Sequence, residues 1–142
     1  MKQKTALSKP DLKRLSKVLG HTFDNASRLE RALTHSSART TGQGNYERLE
    51  FLGDRVLGLV IAEVLFQLFP LAKEGELSVR LNQLVSAETC AAIADEIELH
   101  HFIRTGTDIK SLTGKRMANV RADVMESLIA AIYLDAGLEA AR

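Results

Sequence analysis

The chain has 142 residues, of which 45% are hydrophobic and 26% are charged, and a net charge of +1, a composition typical of one soluble globular domain rather than of a disordered chain. Because the net charge is close to zero, any site for a polyanion has to be a local basic patch. The single cysteine, Cys90, cannot form an internal disulfide, and no apolar run is long enough to span a membrane, so the sequence predicts a cytoplasmic protein with no membrane partner.

The first residues carry clear signals for helix starts and ends. Ser8 is a candidate N-cap for a helix with Pro10 in its first turn, and Gly20 marks the end of that helix. A second helix is predicted to begin at Asp24 or Asn25 and to end in the sequence THSS.

One long apolar helix dominates the middle of the chain. Residues 38–45 are small and polar and predict a loop, whose last residue, Asn45, can cap a helix that runs to Phe69. Because apolar side chains occur on nearly every side of this helix, we expect it to be buried on most sides. Gly53 and Gly58 are unfavourable in a helix interior, and they indicate the close approach of another backbone, within the fold or across a dimer interface.

Further helices are predicted in the second half. One covers residues 77–85, and Ser86 caps the next. A loop follows over residues 104–115, and the last long helix covers residues 119–135 before the segment GLEAAR begins another turn. Because no alternation typical of strands occurs, the sequence predicts an all-α helical bundle that forms one domain over residues 1–142.

Three carboxylates lie within the long central helix. Glu47, Glu50 and Asp54 stand at positions i, i+3 and i+7, so they share one narrow stripe of the helix surface. Like charges one turn apart repel, and buried carboxylates need a compensating charge. A divalent cation would supply that charge, whereas the plainer interpretation is that these acids form the solvated edge of a core helix.

The last long helix carries a second acidic pair, Asp123 and Glu126, at positions i and i+3. Two helices with facing carboxylates can form an oxygen-lined site, and such ligands favour Mg²⁺ or Mn²⁺. The most concentrated basic surface consists of Lys110, Lys115, Arg116 and Arg121, which could bind the phosphates of a nucleic-acid backbone. Together these features favour metal-dependent phosphodiester hydrolysis. An all-α, Mg²⁺-dependent enzyme acting on small diphosphates is the alternative.

The histidines and the cysteine carry weaker signals. His35 lies at the end of the second predicted helix, where it could be a helix-end cation, a hydrogen-bonding core residue or a group that orients the backbone. His100 and His101 have no cysteine at the spacing that a zinc site requires. Cys90 lies in an alanine-rich helical segment and is predicted to be a buried structural thiol.

Four sequence blocks occur together in the order found in one enzyme family. The segment NYERLEFLGDRVL, Asn45–Leu57, closely resembles the signature of the ribonuclease III endonuclease domain. LTHSS upstream, EGELS at Glu74–Ser78 and RADVMESLIAAIYLD at Arg121–Asp135 resemble the family's other blocks. The resemblance covers essentially the whole chain.

This resemblance implies which carboxylates carry the chemistry. Asp54 and Glu126 match the family's two principal catalytic positions. The cluster that binds Mg²⁺, which Mn²⁺ can replace, corresponds to Glu50, Asp54, Asp123 and Glu126. Two further acidic positions with supporting roles correspond to Glu47 and Glu74.

The resemblance also implies a reaction and partners. Members of the family cleave double-stranded RNA as homodimers, leave 5′-phosphate and 3′-hydroxyl ends with short 3′ overhangs, and process ribosomal RNA precursors and some messenger RNAs. Bacterial members usually carry a C-terminal double-stranded-RNA-binding domain, which this sequence does not contain. We therefore expect either the catalytic domain of a longer protein, which the end of the sequence within a predicted helix favours, or a naturally short relative. Arg55 stands where the family often has serine. A non-catalytic relative that only docks RNA is the alternative function.

Overall fold

The computed structural model describes three ranges of the chain, with the backbone alone for the first two residues of the last range: residues 7–35, 46–103 and 115–142. The loop predicted over residues 38–45 and the predicted cap Asn45 lie outside these ranges, as does nearly all of the loop predicted over residues 104–115.

The described residues form helices and no strand, which confirms the predicted all-α fold. A short 3-10 turn, Leu99–His101, follows the fifth helix. The helices are α1 Lys9–Leu19, α2 Ala26–Ala32, α3 Tyr46–Leu68, α4 Glu74–Leu84, α5 Ala87–Glu96, α6 Lys115–Ala136 and α7 Leu138–Ala141. None of these described helices is both long enough and apolar enough to cross a membrane.

The predicted caps are confirmed at three helix starts. Ser8, Asn25 and Ser86 each accept a hydrogen bond from the backbone N–H three residues later, over 3.3, 3.1 and 3.2 Å. Gly20 ends α1 with φ at +67°, a left-handed conformation that glycine adopts without steric cost. Local sequence therefore fixes the ends of these short helices.

Two helices begin earlier than the sequence predicted. α4 starts at Glu74 rather than at residue 77, because the acidic side chains of Glu74 and Glu76 interact favourably with the positive end of the helix dipole. α6 starts at Lys115 rather than at residue 119, and its first three residues, Lys, Arg and Met, all favour helix formation. Both corrections lengthen helices that carry residues of interest.

α6 lies at the centre of the bundle and packs against α2, α3, α5 and α7. Its buried face is made of small and aliphatic side chains, and Val124, Leu128 and Ala131 are at most 1% exposed. Leu15 of α1 and Leu29 of α2 are equally buried against the same core. The core therefore holds α6 on several sides.

α3 is buried on one side only within this chain. Val56, Val60 and Leu65 are buried, whereas Phe51 and Leu59 on its other side are 62% and 56% exposed. The prediction that this helix is buried on most sides is wrong for the single chain. α6, α4 and α2 contact parts of its surface, and the side that carries Phe51 and Leu59 stays exposed within the described chain.

The predicted close approach of two backbones occurs at Gly53. A Cβ built on Gly53 would overlap the carbonyl oxygen of Glu126 and lie 3.2 Å from the Glu126 Cα, so α3 and α6 touch through their main chains. A Cβ on Gly58 meets no described atom within 4 Å, so the described chain provides no backbone neighbour for Gly58.

A polar clamp holds the C-terminal end of α6 to the segment between α1 and α2. The side chain of Asp135 is 3% exposed, and its Oδ2 lies 2.7 Å from Nε2 of His21. The backbone N–H groups of Asp24 and Asn25 also donate to Asp135, over 3.1 and 3.2 Å. Because the carboxylate is buried, these partners replace the hydrogen bonds that water would otherwise make.

We expect Gly53→Ala to lower the free energy of unfolding by about 2 to 3 kcal/mol, because the added methyl group overlaps main-chain atoms that cannot rotate away. Urea unfolding followed by circular dichroism measures the change. Gly58→Ala is the matched control and should be neutral or stabilising by up to about 1 kcal/mol, since alanine favours helix over glycine. Equal stability of the two variants would contradict the close-contact explanation.

Candidate metal centre

Three carboxylates from two helices converge in the structure. α3 contributes Glu50, and α6 contributes Asp123 and Glu126. One oxygen from each residue can be chosen so that all three oxygens lie within 4.8 Å of one another. One member of the predicted acidic stripe, Glu50, therefore meets both members of the predicted acidic pair.

Main-chain contacts between α3 and α6 position this cluster of three carboxylates. Gly53, one turn after Glu50, touches the backbone of Glu126 directly. The buried hydroxyl of Ser127 contacts two main-chain oxygens, the carbonyl of Tyr46 at 3.3 Å and the carbonyl of Asp123 at 3.1 Å. These contacts hold the start of α3 on α6 beside the acidic side chains.

The charge of Arg55 only partly offsets the negative charge around Glu126. Burial, together with the charges of Asp54, Glu50 and Asp123, raises the pKa of Glu126 to about 7. Burial likewise raises the pKa of Glu50, with the nearby Asp123 as the next cause, and burial also raises the pKa of Asp123. Raised pKa values on adjacent carboxyls mean that the full negative charge is unfavourable here unless a cation joins it.

An open pocket of about 530 Å³ contains the cluster. Its wall combines the acids with aromatic and cationic side chains from the same two helices and from the described residues that follow α2. The lining residues are His35, Tyr46, Glu47, Glu50, Phe51, Asp54, Arg55, Asp123 and Glu126.

Asp54 lies in the wall of this pocket but outside the group of three carboxylates. Its Oδ2 accepts a hydrogen bond from Arg55 over 2.8 Å, and its side chain is 44% exposed. The Arg55 guanidinium also lies 4.2 Å from the centre of the Phe51 ring. The arginine that replaces the family's frequent serine therefore pairs with one of the predicted catalytic acids.

The two supporting acids occupy different places. Glu47 is exposed and lines the pocket, one turn before Glu50. Glu74 is exposed in the first turn of α4 and does not line the pocket. The supporting role that the family resemblance implies for Glu74 stays a prediction.

His35 and Tyr46 complete the pocket beside Asp123. Nε2 of His35 lies 4.0 Å from Oδ2 of Asp123, and the His35 and Tyr46 rings pack with their centroids 5.1 Å apart. Burial lowers the pKa of His35, and the charges of Asp123 and Glu47 oppose that shift. Sequence reasoning left the role of His35 open and missed Tyr46, whose one signal was its place directly before the acidic stripe.

The predicted basic patch is only partly visible. Lys110 and the side chains of Lys115 and Arg116 lie outside the described part of the chain. Arg121 is described, and its guanidinium pairs with the Asp95 carboxylate of α5 at 2.9 Å. Contact of these four residues with RNA therefore stays a prediction.

The remaining candidates do not line the pocket. Cys90 is 3% exposed, and burial raises the pKa of its thiol to about 11, as expected for a structural cysteine. His100 and His101 pack against each other with ring centroids 4.1 Å apart. Within the described ranges, the one group of three or more metal-ligating side chains is the carboxylate cluster, so the histidine pair does not form a zinc site there.

Comparison with known proteins relates the whole chain to one family. A model of the family described as Ribonuclease-III-like matches residues 25–142. The chain is 70% identical to "Ribonuclease 3" of Rhizobium leguminosarum bv. trifolii and 66% identical to that of Agrobacterium fabrum, in each case over all 142 residues. It spans 59% of the length of each of these relatives.

Solved structures lead to the same group. The nuclease domain of ribonuclease III from Campylobacter jejuni matches with a TM-score of 0.85 and 38% identity, covering 92% of this chain and 90% of that one. That structure is described as flexible in a region involved in dimer formation. A second structure of the same domain matches with a TM-score of 0.82 and 39% identity, covering 91% of this chain and 86% of that one. On this evidence the chain belongs to the ribonuclease-III-like family.

Proposed function

We propose that this chain is the nuclease domain of a ribonuclease III that hydrolyses double-stranded RNA with Mg²⁺, for which Mn²⁺ can substitute. The products are 5′-phosphate and 3′-hydroxyl ends with short 3′ overhangs, and the cytoplasmic substrates are ribosomal RNA precursors and some messenger RNAs. The observation that carries the proposal is the convergence of Glu50, Asp123 and Glu126 within 4.8 Å. The relatives named "Ribonuclease 3" support the same reaction.

The donor set fits the proposed ion. Glu50, Asp123 and Glu126 offer only carboxylate oxygens, which Mg²⁺ and Mn²⁺ prefer to nitrogen or sulfur ligands. When bound, the ion supplies an activated water and stabilises the leaving oxygen. Asp54 would complete the ligand set after its carboxylate leaves Arg55, whose positive charge then faces the approaching RNA backbone.

We expect the metal-free chain to lose stability as the pH rises from 5 to 8, with millimolar Mg²⁺ restoring it at pH 8 and having little effect at pH 5. The folded carboxyls of Glu50 and Glu126 keep their protons at a pH where the unfolded chain has lost them, so raising the pH favours unfolding. Thermal unfolding in EDTA and in Mg²⁺ measures both effects.

Glu126→Gln is the control for this pH profile, because a neutral amide removes the titration of Glu126 while every other ionisable group stays. Its stability in EDTA should fall less steeply between pH 5 and 8 than that of the wild-type chain. If the stability of both proteins in EDTA changed equally with pH, the titration of Glu126 would not cause the predicted loss of stability.

The same substitution should reduce cleavage of a long perfectly paired RNA by at least about 100-fold, because loss of even an outer partner of a metal ligand costs about 10- to 100-fold. The assay measures cut duplex in Mg²⁺, with single-stranded RNA alongside. Glu139→Gln, at an exposed glutamate of α7, is the matched control and should cleave normally. Normal cleavage by Glu126→Gln would contradict the mechanism, and a wild-type chain that binds duplex RNA without cutting it would indicate a docking module.

We propose that the chain works as a homodimer. The uncovered side of α3 exposes Phe51, Leu59 and Phe66, by 62%, 56% and 72%, and an apolar helix face of this kind favours burial against a partner. A twofold axis would present one site to each strand of an antiparallel duplex. The Campylobacter jejuni relative, with its region involved in dimer formation, supports this assembly.

Leu59→Glu should convert the dimer to monomers, because dimerisation would bury a carboxylate without a partner. Sedimentation velocity at matched protein concentrations measures the oligomeric state. Val18→Glu is the matched control: Val18 is 50% exposed on α1, so the same charge there should leave the dimer intact. If Leu59→Glu and Val18→Glu dimerise with equal affinity, the interface lies elsewhere on the chain.

A further inference from the structure

Tyr46 buries a hydroxyl group beside the acidic cluster. It is the first residue of α3 and is 4% exposed. Its phenolic oxygen is buried beside the Asp123 carboxylate, and it makes no hydrogen bond of standard geometry among the described residues. A buried polar group in that state costs about 1 to 3 kcal/mol. A hydrogen bond that forms when the acidic cluster is occupied would offset this cost.

The surroundings of this hydroxyl fix its chemical role. Tyr46 lines the same pocket as Glu50, Asp123 and Glu126. An ordinary phenol keeps its proton at physiological pH, so this hydroxyl can act there as a neutral donor or acceptor.

Two contacts hold Tyr46 in place, one through its ring and one through its main chain. Its face packs against His35, with centroids 5.1 Å apart and ring planes at 58°. Its main-chain carbonyl accepts a hydrogen bond from Ser127, the residue directly after Glu126. Tyr46 is thus attached to the helix that carries two of the three carboxylates, and small movements of side chains alone would bring a partner to its hydroxyl.

Asp123 is the carboxylate best placed to accept a hydrogen bond from Tyr46. It is the acid whose charge acts most strongly on Tyr46, and its side chain is 36% exposed, so it has room to turn. A carboxylate that binds a cation through one oxygen commonly accepts a hydrogen bond on the other, and that outer partner fixes its orientation. The oxygens of Glu50, Asp123 and Glu126 already lie within 4.8 Å of one another, and a bound cation would offset their negative charges.

We propose that Tyr46 is a positioning residue that donates a hydrogen bond to the Asp123 carboxylate when a divalent cation occupies the cluster. This inference rests on the proposed function, since it needs the cluster to bind a metal. Tyr46 touches neither RNA nor the reacting atoms in this role. It acts through Asp123 by holding one metal ligand in the orientation that binding requires.

The proposal predicts that Tyr46→Phe weakens metal binding without lowering the stability of the metal-free chain. Tyr46→Phe removes the hydroxyl and keeps the ring on His35. Without metal, the variant loses an unsatisfied buried group, so its thermal stability stays equal or rises. With metal, it loses the donor to Asp123, so Mn²⁺ affinity falls by about 10-fold. If Tyr46 had a purely structural role, Tyr46→Phe would lower the thermal stability and leave the Mn²⁺ affinity unchanged.

The test uses Mn²⁺ alone as the probe, in the absence of RNA. Calorimetric titration gives the affinity, and thermal unfolding in EDTA gives the metal-free stability, for wild type, Tyr46→Phe and Tyr133→Phe. Tyr133 is the second tyrosine of the chain, lies on α6 and does not line the pocket. Its variant matches the chemical change and should bind Mn²⁺ as the wild type does.

Weaker Mn²⁺ binding by Tyr46→Phe, without loss of stability in EDTA, supports the proposal. Unchanged Mn²⁺ affinity in that variant overturns the proposal. Weaker Mn²⁺ binding together with a lower thermal stability in EDTA also overturns it. If wild type binds Mn²⁺ and cleaves duplex RNA while Tyr46→Phe behaves identically, only the role of Tyr46 fails. If wild type binds no Mn²⁺ and cuts no RNA, the proposed function fails with it.

Discussion

The contact between Gly53 and the backbone of Glu126 sets the distance between the two helices that carry the acidic side chains. Because no side chain separates the helices at this point, Glu50 and Glu126 face each other across a gap fixed by main-chain atoms. Main chains in contact cannot move apart by changing a rotamer, so the cluster inherits the rigidity of the core. The geometry of the site thus follows from one missing methyl group.

This arrangement works against electrostatics, and the chain compensates only in part. Burial and mutual repulsion raise the pKa values of Glu50 and Glu126. Arg55 neutralises Asp54 at the pocket edge, and its charge also opposes the shift on Glu126. The apolar core around α6 holds the acids together despite their repulsion. Sites that concentrate like charge commonly depend on such support from the surrounding structure.

The sequence predicted those features that depend on local pattern. The helix caps at Ser8 and Ser86 and the acidic stripe follow from spacing and residue type, because one helix face or one turn determines them. Residue type indicated a close backbone approach at Gly53 and Gly58 alike, and within the described chain that approach occurs at Gly53 and not at Gly58. The pairing of Asp54 with Arg55 depends on a choice between rotamers, which spacing does not determine. The exposed side of α3 was missed because apolar composition cannot distinguish burial within a chain from burial against another molecule.

The clamp between His21 and Asp135 joins residues separated by 114 positions, across most of the chain. A protein leaving the ribosome therefore cannot anchor the segment after α1 until nearly all of α6 has emerged. The carboxylate cluster requires that same helix, and such distant contacts form only after a large loss of chain entropy. Neither the clamp nor the carboxylate cluster can therefore form before the residues of α6 that each requires have been synthesised.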